Sequence, residues 1–216
     1  MAQDVLQSTF YDWWATEGDW VEEPNSRRKG MSGVQCIERD GTRLYVKRMT
    51  QHLFYSLRYP WGRPTIVREI AVIKELARAG VIVPKIVYGD AMKVNGEWRA
   101  LLVTEDMSGF VSIADWYHQH ALTPYPDDLR QDMLKAVALA FKKMHAVNRQ
   151  HGCCYVRHIY VKTEGEVEAG FLDLEKSRRR FRRRKAAQHD FSQLEKNLHP
   201  IPQADWEAVK AYYAAL

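Results

Sequence analysis

With 216 residues, 46% of them hydrophobic and 27% charged, the chain has an ordinary globular composition that excludes a disordered polymer, and it is long enough for one domain or one two-lobed domain. No stretch approaches the roughly 18 apolar residues of a membrane span, and "MAQDVLQSTFYDWWATEGDW" lacks the basic region and apolar core of a secretory signal. The net charge of +5 is concentrated in "RRRFRRRK", Arg178 to Lys185, where seven of eight residues are basic, a run that faces water and attracts an anionic partner.

The first hundred residues read as strand-rich. Trp13, Trp14 and Trp20 near the start fit core or lobe-capping positions. "GVQCIERDGTRLYVKR" offers two β-patterned runs around the hairpin signal of Asp40 and Gly41. A helix follows over "PTIVREIAVIKELARAG", with Pro64 at its start, Gly80 at its end, and Ile66, Ile70, Ile73 and Ala77 facing a core. "VIVPKIVYG" and "EWRALLVTEDM" are two further strands. The second half changes character. Asp127 or Asp128 caps a long helix to about Asn148, striped by Leu129, Met133, Val137, Ala140, Phe141 and Met144. The strands "HIYVK" and "GFLDLE" then flank a turn at Gly165, and helices cover "QHDFSQLEKNL" and "QADWEAVKAYYAAL". The pattern is α+β with two lobes, residues 1–106 mostly β and residues 107–216 mostly α.

Several polar residues stand where a fold would hide them. In a strand, Leu44 and Val46 point one way and Tyr45 and Lys47 the other. Glu69 lies beside the apolar stripe of the following helix, so it either meets Lys47 or is an ordinary helix charge beside a solvent-facing lysine. Gly30 and Gly33, in "KGMSGV", are a plain turn or one that lets backbone amides approach phosphate. Asp173, at the end of an apolar strand, either caps a turn or coordinates a cation such as Mg²⁺.

In their order and spacing these pieces resemble the protein-kinase-like fold over residues 27–198, and within it the bacterial lipopolysaccharide core kinases that act on Kdo or heptose sugars, including the InaA-like proteins. The resemblance implies a two-lobed fold with a small, truncated C-lobe, and ATP and Mg²⁺ as cofactors. Gly30 and Gly33 match the phosphate-covering loop, Lys47 in "LYVKR" the ATP lysine, and Glu69 in "REIAVIKEL" its partner. "LLVTEDMSG" matches the hinge, with Thr104 as gatekeeper and backbone groups of Glu105 and Met107 toward adenine. His151 opens the catalytic loop, His158 takes a metal-ligand position, Asp173 in "FLDLEKSR" is the metal-binding aspartate, and Asp190 in "QHDFSQLEKNL" braces the loop.

One position departs from the pattern. Two residues after His151, where the family's pattern has the aspartate that accepts the proton of the attacking hydroxyl, stands Cys153. An unperturbed thiol, with a pKa of about 8.5, is no equivalent base. Three readings follow: a kinase that retains slow transfer, with Glu175 as the candidate substitute base; a pseudokinase that binds nucleotide or partners; or a zinc site of His151, Cys153, Cys154 and His158. The lysine, glutamate, glycines and both aspartates are all present, which favours the kinase. Three cysteines, two of them adjacent, also make a poor disulfide framework and suit a reducing cytoplasm.

Arg178, Arg179, Arg180, Arg182, Arg183, Arg184 and Lys185 lie between Asp173 and Asp190, the segment that in kinases faces the acceptor. They suit an acidic lipopolysaccharide core or another anionic acceptor, and a peripheral contact with the inner membrane, at about 1 kcal/mol per basic residue near the surface. A solvated loop without a partner is the plain alternative. Nucleic acid is disfavoured, because only Phe181 interrupts the run as a stacking platform.

Overall fold

In the computed structural model, which describes residues 9–27, 30–121 and 125–216, the chain divides into two units, one comprising residues up to 73 with 84–106 and the other residues 74–83 with 107–216. The first holds α1 (Phe10–Ala15), β1 (Asp19–Arg27), β2 (Gly30–Arg39), β3 (Thr42–Thr50), β4 (Leu53–Ser56), β5 (Tyr59–Pro64), most of α2 (Thr65–Arg78), β6 (Ile86–Val94) and β7 (Glu97–Glu105). Five of the strands form an antiparallel sheet in the order β1-β2-β3-β7-β6. Asp40 and Gly41, with φ of 53° and 71°, close the β2–β3 hairpin, the left-handed pair that a two-residue turn demands. Asn95 and Gly96 close β6–β7 in the same way.

The pleat of β3 settles the direction of its side chains. Leu44 and Val46 face one side, where they pack with Leu101 and Val103 of β7 and with Phe10 and Trp13 of α1. Arg48 on the same face donates to the carbonyls of Trp13 and Trp14, both at 3.2 Å, which ties α1 down. Trp13 is fully buried as expected, whereas Trp20 is half exposed. Tyr45 and Lys47 emerge from the opposite face.

The helix expected over residues 64–80 is α2, but its buried stripe is rotated. Ile66, Glu69, Val72, Ile73 and Leu76 are buried and Ala77 is exposed, so Glu69 sits within the stripe. Gly80 ends the helix at φ 73°, with Val81 N–H donating to Leu76 O. The strand expected to start near Val81 starts at Ile86, beyond Pro84, whose nitrogen has no proton for a ladder, and it runs on to Val94. No sequence signal pointed to the β4–β5 hairpin, which exposes Tyr55, Leu57 and Trp61.

The second unit adds β8 (Val111–Ser112), α3 (Ile113–Gln119), α4 (Asp127–Ala146), β9 (Arg149–Gln150), a 3₁₀ turn (Val156–His158), β10 (Ile159–Lys162), β11 (Glu168–Phe171), β12 (Arg178–Arg179), α5 (Arg183–Glu195) and α6 (Gln203–Ala215). The cap of α4 is Pro126; Asp127 and Asp128 occupy its first turn, where their charges complement the helix dipole. Phe141 of α4 is the hub of the core, touching Phe171, Phe191 and Trp206. The strand expected over "GFLDLE" ends at Phe171, so Leu172 and Asp173 leave the ladder. The helix expected from Gln188 begins five residues earlier, at Arg183. The basic run is therefore only partly loop: Arg178 and Arg179 form β12, Arg180 to Arg182 connect, and Arg183 to Lys185 open α5. No helix among the described residues is long and apolar enough to cross a membrane.

One buried carboxylate organises the loop after α4. Asp190 of α5 has no exposure; its Oδ2 accepts the His151 N–H at 2.7 Å and a proton from His145 Nε2 at 3.2 Å, and its Oδ1 accepts the Gly152 N–H at 3.2 Å. Burial alone would raise its pKa, but the hydrogen bonds from His145 and the His151 amide outweigh that and hold it below the ordinary carboxylate range. Gly152, at φ 81°, lies where a Cβ would come within 2.2 Å of Lys176 O, so only glycine lets the two backbones approach.

Removal of this carboxylate strands buried donors. Asp190→Ala is expected to lower the unfolding free energy at pH 7 by about 3–5 kcal/mol in urea denaturation. A carboxylate with a depressed folded pKa stabilises above its unfolded pKa, about 3.9, and loses that contribution as pH falls through the folded value. The gap between wild type and variant is therefore expected to be constant near neutrality and to narrow below about pH 4.

Candidate active site

Two clusters carry the chemistry, one in each unit. In the first, Lys47 Nζ lies 2.8 Å from Glu69 Oε2, and their side chains retain 19% and 6% exposure. An amine on a sheet strand and a carboxylate on the buried stripe of a helix, 22 positions apart in the chain, are thus fixed as one partly desolvated ion pair.

Gly30 and Gly33 do not form a turn. They lie within β2, where a Cβ on Gly30 would come within 2.4 Å of Thr50 O and one on Gly33 within 2.8 Å of the Trp20 ring. Close packing of neighbouring strands requires both, while residues 28 and 29, between β1 and β2 in the sequence, lie outside the described residues. Thr104 and Glu105 end β7; Glu105 N–H donates to Lys85 O at 2.9 Å, and Met107 O accepts from Phe110 N–H at 2.9 Å.

In the second unit the loop held by Asp190 presents its residues unequally. His151 is wholly buried, its Nδ1 accepting the Cys153 N–H at 3.3 Å; burial pushes its pKa down to about 4, so at neutral pH it is an uncharged spacer that shapes the loop. It stacks on His158, with ring centroids 5.9 Å apart and planes inclined by 10°. Cys154 points into the core, its thiol pKa raised well above normal by burial, and its amide donates to Gln193 Oε1 at 2.8 Å.

Cys153, His158 and Asp173 come together. Their ligand atoms all lie within 4.8 Å of one another. His158 Nδ1 donates to the Cys153 carbonyl at 2.7 Å, which turns Nε2 toward Asp173 Oδ2, 3.6 Å away. Asp173 is at φ 55°, an uncommon left-handed conformation that the surrounding structure imposes. Carboxylate oxygen is the donor Mg²⁺ prefers, so Asp173 fits the metal the resemblance implies, while the imidazole of His158 beside it is a donor better suited to softer divalent cations. The four-ligand zinc set is not assembled: His151 and Cys154 stand outside this group. Cys153 is 5% exposed, and burial, then the charge of Asp173, raises its pKa, against the pull of Lys176 Nζ at 3.7 Å from Sγ. The thiol is therefore protonated at neutral pH and is no base. Lys176 was not singled out in the sequence, although its place three residues after Asp173 was a usable signal.

The basic run is partly committed to structure. Arg179 pairs with Glu75 at 2.6 Å alongside Arg149 at 2.5 Å, and Arg180 donates to Gln150 Oε1. Arg178, Arg182, Arg183, Arg184 and Lys185 are exposed. Within this unit Arg180, Phe181, Lys185, His189, Gln193 and Tyr155 are among the residues lining a groove of about 680 Å³.

Comparison with known proteins follows the same outline. Residues 11–213 match the model of the lipopolysaccharide kinase (Kdo/WaaP) family. The chain is 77% identical over 216 residues to Protein InaA of Escherichia coli (strain K12), covering all of both chains. It is 26% identical over 158 residues to the lipopolysaccharide core heptose(I) kinase WaaP of the same strain, spanning 68% of this chain and 59% of that one. The solved structure of WaaP in complex with acyl carrier protein superposes with a TM-score of 0.72 at 19% identity, over 96% of this chain and 82% of that chain, which establishes the kinase-like α+β fold. By a family match over nearly its whole length, the chain is a member of the lipopolysaccharide kinase (Kdo/WaaP) family.

Proposed function

We propose that the chain is an ATP-dependent phosphotransferase whose acceptor is a sugar of the lipopolysaccharide inner core, Kdo or heptose. The observation that carries this reading is the Lys47–Glu69 ion pair, a partly buried amine oriented by a carboxylate, the arrangement that presents a fixed cation to a phosphate. Phosphoryl transfer asks a protein chiefly to position the nucleotide and neutralise charge. Lys47 holds the α- and β-phosphates and Glu69 fixes its direction. The segment from Glu105 to Met107 offers adenine the Glu105 carbonyl and the Met107 N–H, the groups not engaged by Lys85 and Phe110. Asp173, with His158 beside it, would hold Mg²⁺, which when bound would shield the phosphate charges. Asp190 fixes the loop that carries Cys153, and His151 spaces it.

The acceptor is anionic. The groove lined by Arg180 and Lys185 and the exposed cations beside it support a phosphorylated, acidic substrate. A peripheral contact with an anionic leaflet is supported by exposed Leu57 and Trp61 on the β4–β5 hairpin, flanked by Arg58 and Arg63, and by the exposed part of the basic run. The protonated Cys153 thiol, at the place of the usual base, favours a second reading: a pseudokinase that binds nucleotide without transferring phosphate.

Incubation of purified protein with ATP, Mg²⁺ and lipid A-core separates the two; slow transfer is expected, whereas normal nucleotide binding without transfer leaves the pseudokinase. Lys47→Ala is expected to weaken ATP by about 10- to 100-fold in equilibrium binding, the worth of charge-assisted hydrogen bonds of roughly 1.5–3 kcal/mol. Restoration of a base by Cys153→Asp is expected to raise the turnover of the transferase by about 10²- to 10⁴-fold, and an unchanged rate contradicts the assignment of that position.

A further inference from the structure

A thiol in place of a carboxylate changes which ions the neighbouring residues accept. Mg²⁺ is bound by oxygen and keeps much of its water, whereas sulfur and imidazole nitrogen favour Zn²⁺ and its borderline neighbours. Cys153 Sγ, a His158 ring nitrogen and an Asp173 carboxylate oxygen lie within 4.8 Å of one another, a spread that small rotamer adjustments bring to tetrahedral ligand spacing. The orientation is already made. His158 gives its Nδ1 proton to the Cys153 carbonyl at 2.7 Å, the outer hydrogen bond that metal-ligating histidines characteristically make, and this leaves Nε2 as the acceptor facing Asp173. Arg157 Nε–H, 3.2 Å from Nε2, marks the same lone pair, and its side chain is exposed and able to withdraw. Lys176, 3.7 Å from Sγ, is likewise exposed. Cys153 is buried and Asp173 is 38% exposed at its side chain, so an ion reaches the group from the solvent side.

We propose that Cys153, His158 and Asp173 form a three-ligand site for Zn²⁺ or a similar borderline divalent cation, with a fourth position left to water or a ligand. Binding forms a metal–sulfur bond and releases the thiol proton to solvent. The ion occupies His158 and Asp173, the residues assigned above to Mg²⁺, so zinc competes with magnesium and shuts the phosphotransferase down. The site itself stands without that reading, because it needs neither nucleotide nor transfer.

Co²⁺ as a spectroscopic stand-in, added to metal-stripped full-length protein without nucleotide, tests it. The expected result is a thiolate-to-cobalt charge-transfer band saturating at one equivalent, displaced by stoichiometric Zn²⁺ and diminished by Mg²⁺ only at large molar excess. Cys153→Ser is expected to remove the band and weaken Zn²⁺ by more than the roughly 100-fold that loss of an outer-shell partner reaches. Asp173→Asn is expected to shift the band while the thiolate signal persists, which shows that the fold survives, and Cys36→Ser to leave it unchanged. No band in the wild type, or a band that survives Cys153→Ser, overturns the proposal. Failure of transfer by metal-stripped protein supplied with Mg²⁺ as its only metal, when the band forms normally in a separate Co²⁺ titration, overturns only the phosphotransferase reading.

Discussion

The second unit depends on one buried carboxylate. Asp190 has no contact with water, and it replaces that water with the amides of His151 and Gly152 and the ring of His145. His145 is itself held by the Tyr213 hydroxyl at 3.1 Å, so α4, α5 and α6 all contribute to the same small network. Because an unmet donor in such a place costs more than the bond it replaces is worth, the loop has one conformation and not several. Everything that the loop presents follows from it: His151 inward, Cys154 into the core, and Cys153 with His158 toward Asp173.

The consequence for function lies in what that rigid loop carries. An ordinary transferase loop would place a carboxylate against the acceptor hydroxyl. Here burial and the charge of Asp173 keep a thiol protonated at that place. On the proposed reading, the groups that would hold a charged nucleotide, Lys47, Glu69 and Asp173, are all present, while the group that would remove a proton is not. In a reaction where positioning and charge neutralisation carry most of the rate, that is a slow enzyme or a binding protein, and the same substitution supplies a soft donor that an oxygen-only site lacks.

Much of this was legible in the residues. Asp40-Gly41 forced the hairpin, the period-2 alternation through Leu44 and Val46 placed Lys47 on the far face, and the 22-residue separation to Glu69 matched a strand followed by a helix. Asp190 and the loop it braces stood in the expected order. What was not legible depended on long-range packing. The stripe of α2 runs through Ile66, Val72, Ile73 and Leu76, includes Glu69 and omits Ala77; a carboxylate inside it is what a purely hydrophobic pattern passes over, and its partner is Lys47. The early start of α5 at Arg183 puts three cations against the dipole of its first turn, a cost that local propensity argues against and tertiary contacts override. The β4–β5 hairpin carries its apolar residues on the outside, so no buried face announced it. The convergence of Cys153 with Asp173, 20 positions on, required the three-dimensional turn after Phe171.

The central claim is that the chain keeps a working nucleotide and cation site although its base is gone. Calorimetric titration of ATP into metal-stripped protein, with and without Mg²⁺, tests it most directly when the wild type is compared with Asp173→Asn. The account expects Mg²⁺ to tighten ATP binding to the wild type and to have no such effect on the variant. ATP affinity that ignores Mg²⁺, or a magnesium effect that survives the loss of the Asp173 carboxylate, would contradict it.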